Sequence, residues 1–194
     1  MAKIYIKSWF AARIGEAETV STESGDFDID SRGILKEYEN TTGVTSITIP
    51  DGVQKIWGHV FRDDNSIHEI IMPDSIIEIG GCAFSHCSKL ERVHFSRNID
   101  TIPESCFNGC IGLKNIEFTD SISKIDRHAY NGCTGLTHII FPGNVSVIEE
   151  YAFDHCDSLK IIEFSEAIPY FGGNGNVFGS GKSITTVILP NYSV

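Results

Sequence analysis

One spacing dominates this 194-residue chain. An apolar anchor recurs at Val44, Ile67, Leu90, Leu113, Leu136, Leu159 and Ile184, with five steps of 23 residues and a last step of 25. Behind each anchor the same residue types return in the same order. Leu90, Val93 and Phe95 correspond to Leu113, Ile116 and Phe118, then to Leu136, Ile139 and Phe141. A second apolar pair follows at Ile99 and Ile102, Ile122 and Ile125, Val145 and Ile148. Next come a small residue and an aromatic (Ala83-Phe84, Cys106-Phe107, Ala129-Tyr130, Ala152-Phe153), and the unit closes on Cys87, Cys110, Cys133 or Cys156. With such a period, each unit can bury its apolar face only against the next unit, which is the condition for a solenoid.

Within the unit, Leu90-x-x-Val93-x-Phe95 reads as a short strand, β-branched or aromatic at its inward positions. Repeated once per coil, it builds a parallel sheet with strands about 4.8 Å apart. Pro50, Pro73, Pro142 and Pro190 fall just after that strand, where a residue without an N–H can end it. The second apolar pair predicts another short strand or extended turn. The i, i+3 spacing of Ala-Phe-x-x-Cys predicts a helical turn of the 3₁₀ kind. Residues 1–43 are expected to form an N-terminal capping segment ahead of the array at 44–194. Lys3-Ile4-Tyr5-Ile6-Lys7 and Asp26-Phe27-Asp28-Ile29-Asp30 alternate as strands, Ser31-Arg32-Gly33 offers a hairpin turn, and polar residues 15–25 read as a loop. Asp64 and Gly181 replace the closing cysteine in the first and last units, as suits solvent-facing ends.

The run Leu136-Thr137-His138-Ile139-Ile140-Phe141-Pro142, continued by Ile148, Ala152-Phe153 and Cys156, resembles the leucine-rich repeat, and more closely its BspA-like class. The resemblance covers 44–194 and extends more loosely to Gly33-Ile34-Leu35 and Tyr38. It implies a right-handed leucine-rich repeat solenoid with a parallel β-sheet on one face. Short strands, turns and 3₁₀ or helical turns are implied on the other, with a β-hairpin-like N-terminal cap. It also implies a protein that binds other macromolecules, commonly on bacterial surfaces, with no catalytic residues to carry over.

Charge and hydropathy narrow the partners. With 26 acidic and 15 basic residues the formal charge is −11, spread along the chain with no basic cluster, which argues against direct nucleic-acid binding. The apolar runs fall far short of the ~20 residues that cross a bilayer, so no membrane span is expected. Residues 1–7 alternate and carry lysines where a signal peptide would run unbroken apolar. As it stands the chain is therefore expected in the cytoplasm, or at the cell surface or secreted if it is a piece of a longer protein.

Little of the candidate chemistry holds up against ordinary packing. Four cysteines one coil apart bring their Cα atoms within about 5 Å, but parallel side chains lack disulfide geometry and no C-x-x-C pair suggests zinc. They read as small buried hydrophobes, as does Cys106 at the alanine position; stacked free thiols suit a reducing compartment, and Cys82, outside both ladders, is the exposed thiol. His86 and His155 lie three coils, about 15 Å, apart, too far to share a metal. His68, His94 and His138 lie on strands without a triad arrangement. Asp26, Asp28, Asp30 and Glu37 match calcium-loop positions, but Ser31 stands where the loop needs glycine. The Gly-rich stretch 172–183 ends in Gly181-Lys182-Ser183 and nearly spells a phosphate loop. Asn176 replaces the required glycine and a strand over 184–189 follows instead of a helix, so a flexible loop is expected. Asn40, Asn144 and Asn191 head glycosylation sequons that matter only in a secreted chain. No metal and no cofactor is expected.

Binding is expected on the outward side of the repeated strand. Its second-position ladder includes Glu69, Arg92, Asn115, His138 and Ile161; its fourth-position ladder includes Ile71, His94, Glu117, Ile140, Glu163 and Ile188. Apolar anchors beside charges suit a protein partner, although β-branched residues are also simply good strand formers. The leading expectation is a non-enzymatic, adhesin-type interaction module. The alternative is a small acidic intracellular inhibitor that blocks a nucleic-acid-binding enzyme.

Overall fold

The computed structural model describes residues 18–179 and 181–190. An antiparallel cap opens the chain: β1 (Glu18–Thr22), β2 (Gly25–Ile29) and β3 (Ile34–Glu39). Asp30 shapes the β2–β3 turn by accepting the backbone N–H groups of Arg32 and Ile34 at 2.9 and 3.1 Å. The loop expected over 15–25 is corrected in part, because residues 18–22 form a strand. Thr22 organises the tight turn after it, accepting the N–H of Ser24 and donating to the carbonyl of Gly25. Gly25, at φ 124°, is required there, since a Cβ would lie 2.5 Å from the Glu39 carbonyl oxygen. The strand expected at residues 3–7 lies outside the described residues.

The array that follows is a parallel β-solenoid of about seven turns. Its front face is built from β4 (Ser46–Thr48), β6 (Glu69–Ile71), β8 (Arg92–His94), β11 (His138–Phe141), β13 (Ile161–Phe164) and β15 (Thr186–Ile188). A second face carries β5 (Lys55–Ile56), β7 (Glu78–Ile79), β9 (Thr101–Ile102), β10 (Lys124–Ile125), β12 (Val147–Ile148) and β14 (Tyr170–Phe171). Register follows the sequence period: Ile47 pairs with Ile70 and Ile70 with Val93, and Ile139 pairs with Ile162 and Ile162 with Val187. β3 pairs in parallel with β5, so the cap's sheet runs on into the second face.

The third edge of each coil departs from expectation. Among the described residues no helix forms, 3₁₀ or α; the Ala-Phe-x-x-Cys segment is a chain of separate turns. In the second unit Ala83, Ser85 and Cys87 donate within the coil, to the carbonyls of Gly80, Cys82 and Phe84. The intervening Cys82, Phe84 and His86 donate instead to Glu104, Cys106 and Asn108 of the next coil. Left-handed residues make this alternation possible. Cys82 (φ 58°) and His86 (φ 63°) recur one coil apart as His59, Ser105, His128 and Tyr151, and as Asp63, Gly109, Gly132 and His155. They turn every second amide away from the coil axis, so the i→i+3 bonds never run consecutively into a helix.

Inside, two columns run along the solenoid. Phe61, Phe84, Phe107, Tyr130, Phe153 and Phe178 stack with centroids 5.0, 5.3, 5.2, 5.2 and 5.7 Å apart. Beside them the thiols of Cys87, Cys110, Cys133 and Cys156 donate to the carbonyls of Phe61, Phe84, Phe107 and Tyr130 at 2.9–3.3 Å. Burial pushes the Cys87 and Cys156 thiols up to about 12, so they pack as inert groups. The Gly-rich stretch is only partly a loop. Ile148 pairs with Phe171 at the usual 23-residue step, whereas Phe178, 25 residues after Phe153, continues the aromatic column. The two extra residues are thus absorbed between Phe171 and Val177, and Val177 itself is fully buried.

Candidate functional site

Strand pleating sends alternate side chains of the front face outward, and the register places equivalent residues side by side. In the first three coils this builds a polar cluster. Glu69 accepts from the Ser46 hydroxyl at 2.7 Å and from Arg92 Nε at 3.0 Å, and His94 Nε2 lies 3.0 Å from the same carboxylate. Those contacts, Ser46 first and then His94 and Arg92, lower the Glu69 carboxyl from its ordinary 4.5 to about 2. Ile71 sits half-buried beside Thr48 and His94.

Because the folded value lies below the unfolded one, Glu69 contributes stability above pH 4.5, and this is lost as the pH falls towards 2. With the side chain one-fifth exposed, solvent screening limits the effect to about 1 kcal/mol. Acid unfolding curves of the wild type and Glu69→Gln should therefore diverge above pH 4.5 and converge near pH 2. Equal stabilities at pH 7 would contradict the assignment.

The last three coils present different chemistry. Ile140 and Ile188 flank Glu163 in the pairing and are 45% and 43% exposed, while Ile161 lies between His138 and Thr186. His138 Nε2 is 3.8 Å from the nearer Glu163 oxygen, too long for a hydrogen bond. Between the two halves, Asn115 and Glu117 project from a fourth coil whose residues 113–118 form no strand. The eleven residues expected on this face therefore divide into a hydrogen-bonded ionic group (Glu69, Arg92 and His94, with Ile71 beside them), an unpaired centre (Asn115 and Glu117), and an isoleucine-rich group (Ile140, Ile161 and Ile188 with His138 and Glu163).

Elsewhere, Asp30 is occupied by the β2–β3 turn, and Asp28 accepts the Thr19 hydroxyl. Among the described residues no three His, Cys, Asp or Glu side chains converge as a metal would require. Gly181 and Ile184 close an i→i+3 turn, and the strand β15 follows where a phosphate loop needs a helix. A cavity of about 330 Å³ opens there, floored by Phe153, Leu159, Phe178 and Ile184, where glycine has replaced the column cysteine. Trp57, 47% exposed on the second face with Lys36 Nζ 3.7 Å from its ring centroid, was not singled out from the sequence. Its signal was available: the equivalent positions are Gly80, Pro103 and Asp126, so a tryptophan there is out of pattern.

Parallel coils, an aromatic column and an ordered outward strand face together define a leucine-rich repeat solenoid. The model for the BspA type Leucine rich repeat region matches six copies over residues 35–160 and 101–194, and the chain belongs to that family. Among solved structures it resembles a leucine rich cell surface protein from Faecalibacterium prausnitzii A2-165, with 34% identity and a TM-score of 0.70. That match covers 77% of this chain, which spans 40% of the length of the F. prausnitzii protein. The leucine-rich repeat protein of T. pallidum (20% identity, TM-score 0.70, 90% of this chain and 84% of that one) shares the fold. So does the pneumococcal vaccine antigen PcpA (21% identity, TM-score 0.68, 90% of this chain and 48% of that one). No curated protein matches. No helix among the described residues is long and apolar enough to cross a membrane.

Proposed function

We propose that the chain is a non-enzymatic interaction module that presents its front strand face to a protein partner, in the manner of a surface adhesin. The observation that carries this reading is the exposure of Ile140 and Ile188, with half-buried Ile161 beside them, on a hydrogen-bonded sheet, interleaved with Glu163 and His138. Apolar anchors fixed by a rigid backbone provide desolvation, and the charges between them set register and exclude mismatched partners. A cell-surface setting is supported by the 34% identity to the F. prausnitzii surface protein.

The test compares the wild type with Ile140→Asp/Ile188→Asp in quantitative capture from host-cell lysate and from extracellular-matrix proteins. Both substitutions lie on exposed positions and should leave the thermal unfolding midpoint within about 2 °C. Loss of at least ~10-fold in the capture of a specific protein is expected, since a central apolar anchor is worth ~1.4 kcal/mol or more. Equal capture by both forms would overturn the front-face assignment.

A further inference from the structure

Among the described residues the fifteen strands fall into four sheets, and none of these sheets crosses one point in the chain. Strands β1–β8 make two sheets, ordered β1-β2-β3-β5-β7 and β4-β6-β8, and strands β9–β15 make two others, ordered β14-β12-β10-β9 and β11-β13-β15. A cut between β8 and β9 therefore passes through interrupted pairing on both faces at once. From this we propose that the solenoid is two rigid blocks joined by a hinge, with the turn edge as its spine.

The second face is interrupted by a missing donor. At equivalent positions Gly80 donates to Ile56 at 2.7 Å, Asp126 to Ile102 at 2.9 Å and Glu149 to Ile125 at 2.8 Å. The residue that should bond Ile79 in this series is Pro103, which has no N–H. Asp100 and Thr101 also make no bond to Ile77 among the described residues, whereas their counterparts Ser123 and Lys124 both donate to Asp100.

The front face is interrupted by an added atom. Tyr130 occupies the aromatic column between phenylalanines at 107 and 153, and its hydroxyl is buried without a hydrogen-bond partner among the described residues. Together with Val93, Phe95, Leu113, Asn115 and Ile116 it borders a void of about 10 Å³ directly behind the fourth coil. That coil stands away from the column. Phe118 meets Tyr130 edge-on at 6.1 Å, where Phe95 meets Phe107 at 5.8 Å and Phe141 meets Phe153 at 5.5 Å. Ile116 and Phe118 are correspondingly only half-buried, while Ile139 and Phe141, one coil on, are buried. The hydroxyl acts as a wedge that keeps residues 114–117 out of the sheet.

Ser96, Arg97 and Asn98 bond back to Ile76 and Asp74 and so belong to the first block. With the cut placed after Asn98, only the turn edge stays hydrogen-bonded from coil to coil across it among the described residues. Cys82, Phe84 and His86 donate to Glu104, Cys106 and Asn108 at 3.0, 3.0 and 2.7 Å, the Cys110 thiol donates to Phe84, and Phe84 stacks on Phe107. A junction bonded along one edge and open along two rotates about the bonded edge. On the front face this motion carries the Glu69 cluster on one block and the isoleucine group on the other, so the face can adjust its curvature to a partner that spans both. The hinge itself does not depend on whether such a partner is bound.

Spin-label distances test it directly. In a Cys82→Ser background the remaining native thiols are buried and unreactive, and labels are placed at Thr48→Cys and Thr186→Cys across the cut. Thr48→Cys with Glu91→Cys serves as the control within one block. The cross-cut distribution should be at least about twice as broad as the control, and the Pro103→Ala/Tyr130→Phe pair should narrow it to the control width. A wild-type distribution as narrow as the control, or a broad one unmoved by the two substitutions, would overturn the hinge. Amide exchange supplies a label-free reading that needs only Tyr130→Phe. Lys114 and Asn115 should exchange about 100-fold faster than Ser146 and Val147 in the wild type and at least about tenfold slower once the hydroxyl is gone. Unchanged exchange on Tyr130→Phe would remove the wedge from the account.

Discussion

Truncating Phe107 to alanine should lower the unfolding free energy by about 4 kcal/mol, the largest loss expected from any single substitution in this chain. Phe107 is fully buried, stacks on Phe84 and Tyr130 and receives the edge of Phe95. Its backbone neighbours Cys106 and Asn108 accept two of the three coil-to-coil backbone–backbone bonds that cross the cut between the blocks. The loss should therefore be visible in cooperativity as well as in stability. A repeat array unfolds as one unit only while its nearest-neighbour coupling exceeds the instability of its weakest part. With the coupling at Phe107 removed, urea denaturation followed by fluorescence and by circular dichroism should resolve two transitions in place of one. Phe178→Ala, at the end of the column where the ring has a single stacking neighbour in the series, should cost less and leave the transition single. A Phe107→Ala protein that unfolds in one step with a loss under about 1 kcal/mol would show that the column is not what couples the coils.

The second large effect is expected at Gly135. A Cβ there would lie 2.4 Å from the carbonyl oxygen of Ile111 and 2.6 Å from that of Leu113, both backbone atoms of the preceding coil. Neither oxygen can swing away as a side chain would, so Gly135→Val must push the fifth coil off the fourth. The expected cost is about 3 kcal/mol, or a fall of about 6–12 °C in the thermal midpoint for a chain of this size. Of the equivalent positions, Gly112 is likewise a glycine whose added Cβ would lie 2.9 Å from the carbonyl oxygens of Ser88 and Leu90. Ser66, Lys89 and Ser158 carry side chains, so the repeat tolerates one at some coils and not at others. The constraint arises from how closely these two coils approach. A midpoint within 2 °C of wild type would mean that the coils separate at little cost.

The solenoid was legible because its driving pattern is local and repeated. Leu90, Val93, Phe95, Ile99, Ile102, Phe107 and Cys110 recur at one interval, and burying such a set against its own copy admits few other arrangements. The cap was legible in part. Alternation marked residues 26–30, while the polar strand at 18–22 read as a loop because an edge strand has little need of an apolar face. The i, i+3 spacing in the closing segment of each coil predicts a helical turn. Spacing alone does not distinguish consecutive i→i+3 bonds from turns whose alternate amides face the next coil, and the left-handed backbone at Cys82 and His86 decides that. The outward ladders of the candidate face could be enumerated from strand period 2, but not their grouping. That Glu69 gathers Ser46, Arg92 and His94 while His138 stays short of Glu163 depends on rotamers and on distances of less than an ångström.

The sequence by itself determined that the chain coils at a fixed interval, which residues face inward, and that its columns are aromatic and thiol. Periodicity is a property of single residues, and each of these conclusions needs only one residue and its copy. What the tertiary structure alone decided is that the repeats are not mechanically equivalent. Pro103 lacks the amide hydrogen that Gly80, Asp126 and Glu149 carry at its position, and Tyr130 adds one oxygen to the ring of its phenylalanine counterparts. Their effect emerges only when neighbouring coils are close enough for an absent donor to leave a carbonyl unpaired and an extra hydroxyl to hold a strand away.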